Sequence, residues 1–130
     1  MMATNYVYFM PRYFGNVMKR NIKHWFQRRT RGWSDDETYD LNYQFIKWIN
    51  VRFKKYKELA NKRVDLGYHK FTYQGKEYTQ LELIEREIYL TEELLGDDFW
   101  SFDTIKITKT KEMVEEVFDI FKLIFFTMWW

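Results

Sequence analysis

The sequence predicts a mainly α-helical protein: four helices in a single domain over residues 1–130, with a short N-terminal strand or arm and a small hairpin or loop near 68–78. Three observations carry this. Glycine is scarce and proline occurs once, at Pro11, while Glu, Lys, Leu and Ile are abundant, which favours helices over a many-turned β architecture. Apolar residues recur at three- and four-residue spacing through most of the chain. Ser34-x-x-Glu37 and Thr79-x-x-Glu82 are capping boxes, in which a hydroxyl accepts from the amide three residues on and the carboxylate reaches back to the amide of the cap.

Tyr6 to Met10 is short, β-prone and closed by Pro11, and reads as a strand or an extended arm. From about Arg12 to Thr30, Phe14, Met18, Ile22, Trp25 and Phe26 mark one face of an amphipathic helix, with Arg20, His24, Arg28 and Arg31 along another stripe. Gly32 reverses the chain, and Ser34 caps a second helix from Asp35 to about Arg63. Leu41, Phe45, Trp48, Ile49, Phe53, Tyr56 and Leu59 or Ala60 form its buried stripe. At roughly 43 Å such a helix spans the domain, so other elements should pack along it.

Phe71 to Tyr73 and Glu77-Tyr78 around Gly75 form a hairpin or a loop. A third helix runs from about Gln80 to Leu95 with Leu81, Ile84, Ile88 and Leu95 inward, and stops at Gly96. Asp97 to Thr108 is an aromatic connector. The last helix, about Lys109 to Trp129, becomes apolar nearly all round, which calls for burial in the fold or in a partner.

Composition excludes several classes. With no cysteine there is no disulfide framework, thiolate nucleophile or cysteine metal site. No basic and apolar leader opens the chain, and the apolar run from Leu123 to Trp130 is too short to span a bilayer. The expectation is a protein of the host cytoplasm with no membrane partner. A net charge of +2 gives no global field toward nucleic acid. The distribution is uneven all the same: Arg12, Lys19, Arg20, Lys23, Arg28, Arg29 and Arg31 precede the first carboxylate at Asp35, whereas Glu82 to Asp98 is rich in acids.

Enzyme chemistry has little to work with. His24 and His69 are the imidazoles, neither in a motif context, and no nucleophile elbow or phosphate-cradling glycine loop is present. The carboxylate pairs read as solvated surface charge, with no metal and no cofactor expected. The corner at 28–41 is richer. Arg28, Arg29 and Arg31 suit phosphate oxygens, Trp25, Trp33, Tyr39 and Tyr43 suit stacking on a base, and Asp35, Asp36 and His24 suit polar contacts to a nucleotide. The competing reading is that the arginines pair with the acidic turn and Trp33 staples the two helices.

The Arg31-Gly32-Trp33-Ser34-Asp35 corner and the Thr38-Tyr39-Asp40-Leu41 run behind it resemble a family of small, mostly uncharacterised bacteriophage proteins. In that family a basic segment precedes an Arg-Gly-(aromatic)-(Ser/Asp)-Asp corner. A middle helix like Leu81 to Leu95 and an aromatic C-terminal helix ending at Trp129 and Trp130 extend the likeness loosely. The resemblance implies a phage origin, not a reaction. Together these readings lead to a non-enzymatic counter-defence protein that sequesters a nucleotide-derived, linear or cyclic, signalling molecule at the corner. The main alternative is a protein-interaction module, either a phage structural accessory or an inhibitor of a host protein. It would act through Phe99, Trp100, Phe125, Phe126, Trp129 and Trp130, the surface also expected to form a homo-oligomer. Nucleic-acid binding through the basic first helix ranks third.

Overall fold

Four helices and one antiparallel hairpin follow in the order α1 (Met2–Arg31), α2 (Leu41–Ala60), β1 (Lys70–Tyr73), β2 (Lys76–Thr79), α3 (Gln80–Leu94) and α4 (Thr104–Ile124). The computed structural model describes residues 2–96 and 103–129, with side chains from residue 15 onward. The 130 residues expected as one domain divide into two units, Met1–Leu41 and Asn42–Trp130.

In the first unit α1 replaces the expected strand or arm: Tyr6 to Met10 is helical, and the helix runs through Pro11. Extending a nucleated helix gains one hydrogen bond per residue, and that gain outweighs the weak β preference of a few residues; an interior proline costs about 3 kcal/mol through its missing donor and the crowding of the carbonyl four residues back, which the helix on either side of Pro11 absorbs. The helix ends where Gly32, at φ +87°, donates its amide to the Arg28 carbonyl, a left-handed stop that other residues adopt with strain. The Ser34 box then forms, with Glu37 Oε2 accepting from Ser34 N at 2.6 Å. It starts a 3₁₀ turn, Asp35–Thr38, rather than a continuous helix. Thr38 Oγ1 donates to the Asp35 carbonyl and the Tyr39 amide to the Asp36 carbonyl, so i to i+3 bonds close the turn and α2 begins afresh at Leu41.

In the second unit α2 buries Ile46, Ile49, Asn50, Phe53 and Ala60. Leu41 and Trp48, expected in this stripe, are exposed, and Phe45 sits at the solvent edge. The apolar arc of α2 is wider than the face it buries, and the core took its aliphatic side. Gln74 and Gly75, both at positive φ, make the two-residue turn that joins β1 to β2, with Tyr73 opposite Lys76 and Lys70 opposite Thr79. The Thr79 box opens α3 as expected, Glu82 N donating to Thr79 Oγ1 and Thr79 N to Glu82 Oε1. Asp103 accepts from the amides of Ile105 and Lys106 and starts α4 at Thr104, five residues ahead of the expected Lys109. The helix stops at Ile124, and a 3₁₀ turn at Phe125–Thr127 is pinned to α3 by Gln80 Nε2 donating to the Thr127 carbonyl.

The core joins α2, α3 and α4 through Ile49, Leu83, Ile84, Leu90, Val117, Ile120 and Ile124, and Phe53 is its one aromatic among the described residues. Helix α3 contributes polar groups as well. Asn50 Nδ2 donates to Thr91 Oγ1 at 3.0 Å, while Arg86 grips Glu116 on α4 with two bonds of 2.9 and 3.1 Å. Lys54 pairs with Glu92 and Lys57 with Glu85, tying α2 to α3 along the surface. Glu87 has none of this. It is fully buried, and neither carboxylate oxygen has a hydrogen-bond partner. Burial first, and the nearby Glu116 charge second, push its pKa up to about 9.

A carboxyl raised in the folded state keeps its proton where the unfolded chain has lost it, so its stabilising contribution is full below pH 4.5 and declines as the pH rises toward 9. Urea unfolding across that window should show stability falling by about 1.4 kcal/mol per pH unit from this group. Glu87→Gln should flatten the slope and be the more stable protein above pH 7, by on the order of 2 kcal/mol. An unchanged slope in the variant would place the pH dependence elsewhere.

Candidate functional site

The corner lies wholly in the first unit, and its geometry follows from helix periodicity. Lys23, Gln27 and Arg31 stand four residues apart on one face of α1, and all three reach Asp35: Lys23 Nζ at 3.4 Å, Gln27 Nε2 at 2.8 Å and Arg31 at 2.5 Å. Gln27 also accepts from the Asp35 amide at 2.9 Å, so one side-chain amide holds both ends of that residue. The next row, His24 and Arg28, reaches Asp36 at 3.5 and 3.3 Å, and Ser34 Oγ donates to the same carboxylate. Hydrogen bonds from Gln27 and Arg31 hold the Asp35 carboxyl down at about 2, and the Ser34 hydroxyl, with the His24 and Arg28 charges behind it, lowers Asp36.

Of the residues expected to take a ligand, the structure thus gathers His24, Arg28, Arg31, Asp35 and Asp36 around two carboxylates. Arg31 also lies over Trp33, its Cζ 3.8 Å from the ring centre, and donates from Nε to the Trp33 carbonyl. Arg29 points elsewhere, toward Trp25 at 5.6 Å, and both rings, Trp25 and Trp33, are about half exposed. Tyr39 is exposed at the turn, and Tyr43 belongs to α2 in the second unit.

Two clefts of the second unit each reach at least about 530 Å³. One, of about 530 Å³, is an apolar groove between α2 and the end of α4, floored by Phe53, Tyr56 and Phe121 and rimmed by Trp48, Arg52, Phe125 and Met128. Its walls belong to a run of touching rings: Phe53 on Phe121 at 6.0 Å, Phe121 on Phe125 at 5.6 Å, Phe125 on Phe126 at 5.3 Å. Beside it Phe45 stacks on both Trp48 and Phe118. Phe126 and Trp129 project at 86% and 74% exposure. Of the expected interface residues, Phe125 lines the groove, Phe126 packs on Phe125, Trp129 is exposed, and Phe99, Trp100 and Trp130 lie outside the described residues. Phe45, Trp48 and Phe118 join the exposed aromatics, unanticipated, because their helical spacing looks the same as that of a core stripe.

The other cleft, of about 610 Å³, opens between the hairpin and the α3–α4 pair, with Tyr73, Tyr78, Glu82, Arg86, Glu116 and Ile120 in its wall. Its charged groups are engaged: Glu82 in the cap of α3, Arg86 with Glu116, and Glu85 with Lys57. Among the described residues no cluster of three histidines and carboxylates could hold a metal ion, and no helix is long and apolar enough to cross a membrane. The architecture defines a small helical protein with a hairpin insert and an aromatic surface groove. Compared with family models, with curated proteins and with solved structures, the chain matches none.

Gln27→Ala should raise the Asp35 pKa from about 2 toward 3.8, read by NMR titration of the side-chain carboxyl carbon. A depressed carboxylate contributes stability at neutral pH and loses it as the pH falls through the folded pKa, so in the variant the corner should loosen at a higher pH. An unmoved titration would mean that Arg31 and Lys23 suffice.

Proposed function

We propose that the protein is a non-enzymatic interaction module that works through the aromatic groove between α2 and the end of α4, with a second copy of the chain as its first occupant. The observation that carries this is an apolar groove with exposed aromatics adjoining its lining. The groove is apolar and open; Phe126, 86% exposed, packs on its lining residue Phe125, and Trp129, 74% exposed, follows its lining residue Met128 in the chain. A patch that holds both is self-complementary, the condition for an isologous two-fold contact. The cationic rim suits the same occupant: Arg52 already lies 5.9 Å from the Trp48 ring, and an incoming Trp or Phe face offers it another.

Nucleotide capture at the corner asks more of the residues. Arg28 and Arg31 would have to leave Asp36 and Asp35, and a phosphate would then meet two carboxylates at close range. The interaction reading keeps the phage origin that the Arg31 to Leu41 resemblance implies, with inhibition of a host protein in place of sequestration.

Sedimentation equilibrium and native mass spectrometry test both readings. Wild type should dimerise, Phe125→Ser and Trp129→Ser should weaken the dimer by roughly thirtyfold or more each, and Arg31→Ala should leave it intact. A monomer at all concentrations overturns the proposal. A stoichiometric nucleotide retained from incubation and lost on Arg31→Ala would move the function back to the corner.

A further inference from the structure

The two rows that grip Asp35 and Asp36 decide which side of α1 is left over. With 3.6 residues per turn, Lys23, Gln27 and Arg31 occupy one side, and Met18, Ile22 and Trp25 fall on the opposite one with Phe26 beside them. The acidic turn folds back on the polar side. The apolar stripe is left 58–61% exposed, and across residues 15–41 only Ser34 is buried. The first unit therefore has no apolar core among its described side chains, and its long helix carries four large apolar groups in water. An isolated helix gains little from propensity alone, so this one calls for an apolar cover.

The charge says what kind of cover. No carboxylate occurs before Asp35, and Asp35 and Asp36 take up Lys23, Arg28 and Arg31. Lys19, Arg20 and Arg29 have no carboxylate partner among the described residues, and Lys19 flanks the apolar stripe next to Phe26. Arg29 stacks on Trp25 within the stripe itself, an arrangement in which the guanidinium reaches past the ring to the polar side of an interface. A nucleic-acid backbone would use the cations and leave the stripe in water. A surface that is anionic at its face and apolar just beneath uses both.

We infer that α1 is an interfacial helix that lies flat on an anionic lipid bilayer, with Met18, Ile22, Trp25 and Phe26 sunk among the acyl chains and Lys19 and Arg29 on the lipid phosphates. The helix is too charged to cross a membrane and is built to rest on one: bulky aromatics on one side, cations around them, acids held away on the far side. Neither the groove of the second unit nor its pairing with a second copy is needed for this.

Flotation of the full-length protein with vesicles tests it. The protein should float with phosphatidylcholine mixed with phosphatidylglycerol and stay behind with phosphatidylcholine alone, and high salt should release it. Lys19→Gln and Arg29→Gln should each weaken partition roughly fivefold. Trp25→Ser with Phe26→Ser should abolish flotation at unchanged charge, while Trp129→Ser should not alter it. Failure to float with anionic vesicles overturns the inference. So does equal flotation with neutral ones, or binding to duplex DNA that the Trp25 and Phe26 changes leave intact.

Discussion

The constraint behind the rest of this structure is that its core is aliphatic while its composition is aromatic. Ile, Leu and Val side chains interlock where α2, α3 and α4 meet, and of the rings only Phe53 is buried with them among the described residues. Three close-packed helices leave little room for flat, bulky groups at the seam. Phe45, Trp48 and Phe118 accordingly line the outside of the same helices that supply the core, and Phe125 and Trp129 follow the end of α4. Their stacking recovers part of the burial they forgo, since ring pairs at such separations gain about 1 kcal/mol each. The groove is what remains between them.

Within the core the polar groups fall into two kinds. Asn50, Thr91 and Gln80 are paired and fix register: α2 to α3 through Asn50, the last turn to α3 through Gln80. Glu87 is unpaired and costs stability whenever it ionises. Its neighbour Glu116 is turned away into the Arg86 bridge, which leaves no cation for Glu87. At the corner the balance is the reverse. Carboxylates there are over-supplied with donors, and each ion pair is solvent-accessible, so the set works by position more than by strength. It holds the acidic turn against one side of α1 and leaves the opposite side apolar.

Much of the fold was legible in the sequence because local signals agree with it. Thr79-x-x-Glu82 marks the start of α3, Gly75 the hairpin turn, and Gly32 the end of α1. Boundaries failed where a cap competed with a propensity: Asp103 starts α4 within a β-branched stretch, and helix propagation carries α1 through Pro11. At the corner the pairing of arginines with the acidic turn was foreseeable as one of two readings, and only coordinates show that each carboxylate takes its own row of donors. The groove was half legible. Phe125, Phe126 and Trp129 stood out as an apolar helix end, but Phe45 and Trp48 share their period with Ile49 and Phe53, and periodicity cannot say which part of a wide arc is buried. The same ambiguity hid Glu87, which occupies an inward position beside Ile84, Leu90 and Thr91 while the apolar count pointed to Leu81 and Ile88.

The proposed dimer would cover the aromatics excluded from the core with a second copy of the chain. Hydroxyl-radical footprinting across a dilution series reads this at the rings themselves. Phe125, Phe126 and Trp129 should oxidise readily in dilute protein and become protected as concentration rises, while Tyr68, 76% exposed and not part of the groove's lining, oxidises equally throughout. Oxidation of the groove aromatics that does not change with concentration would contradict the account.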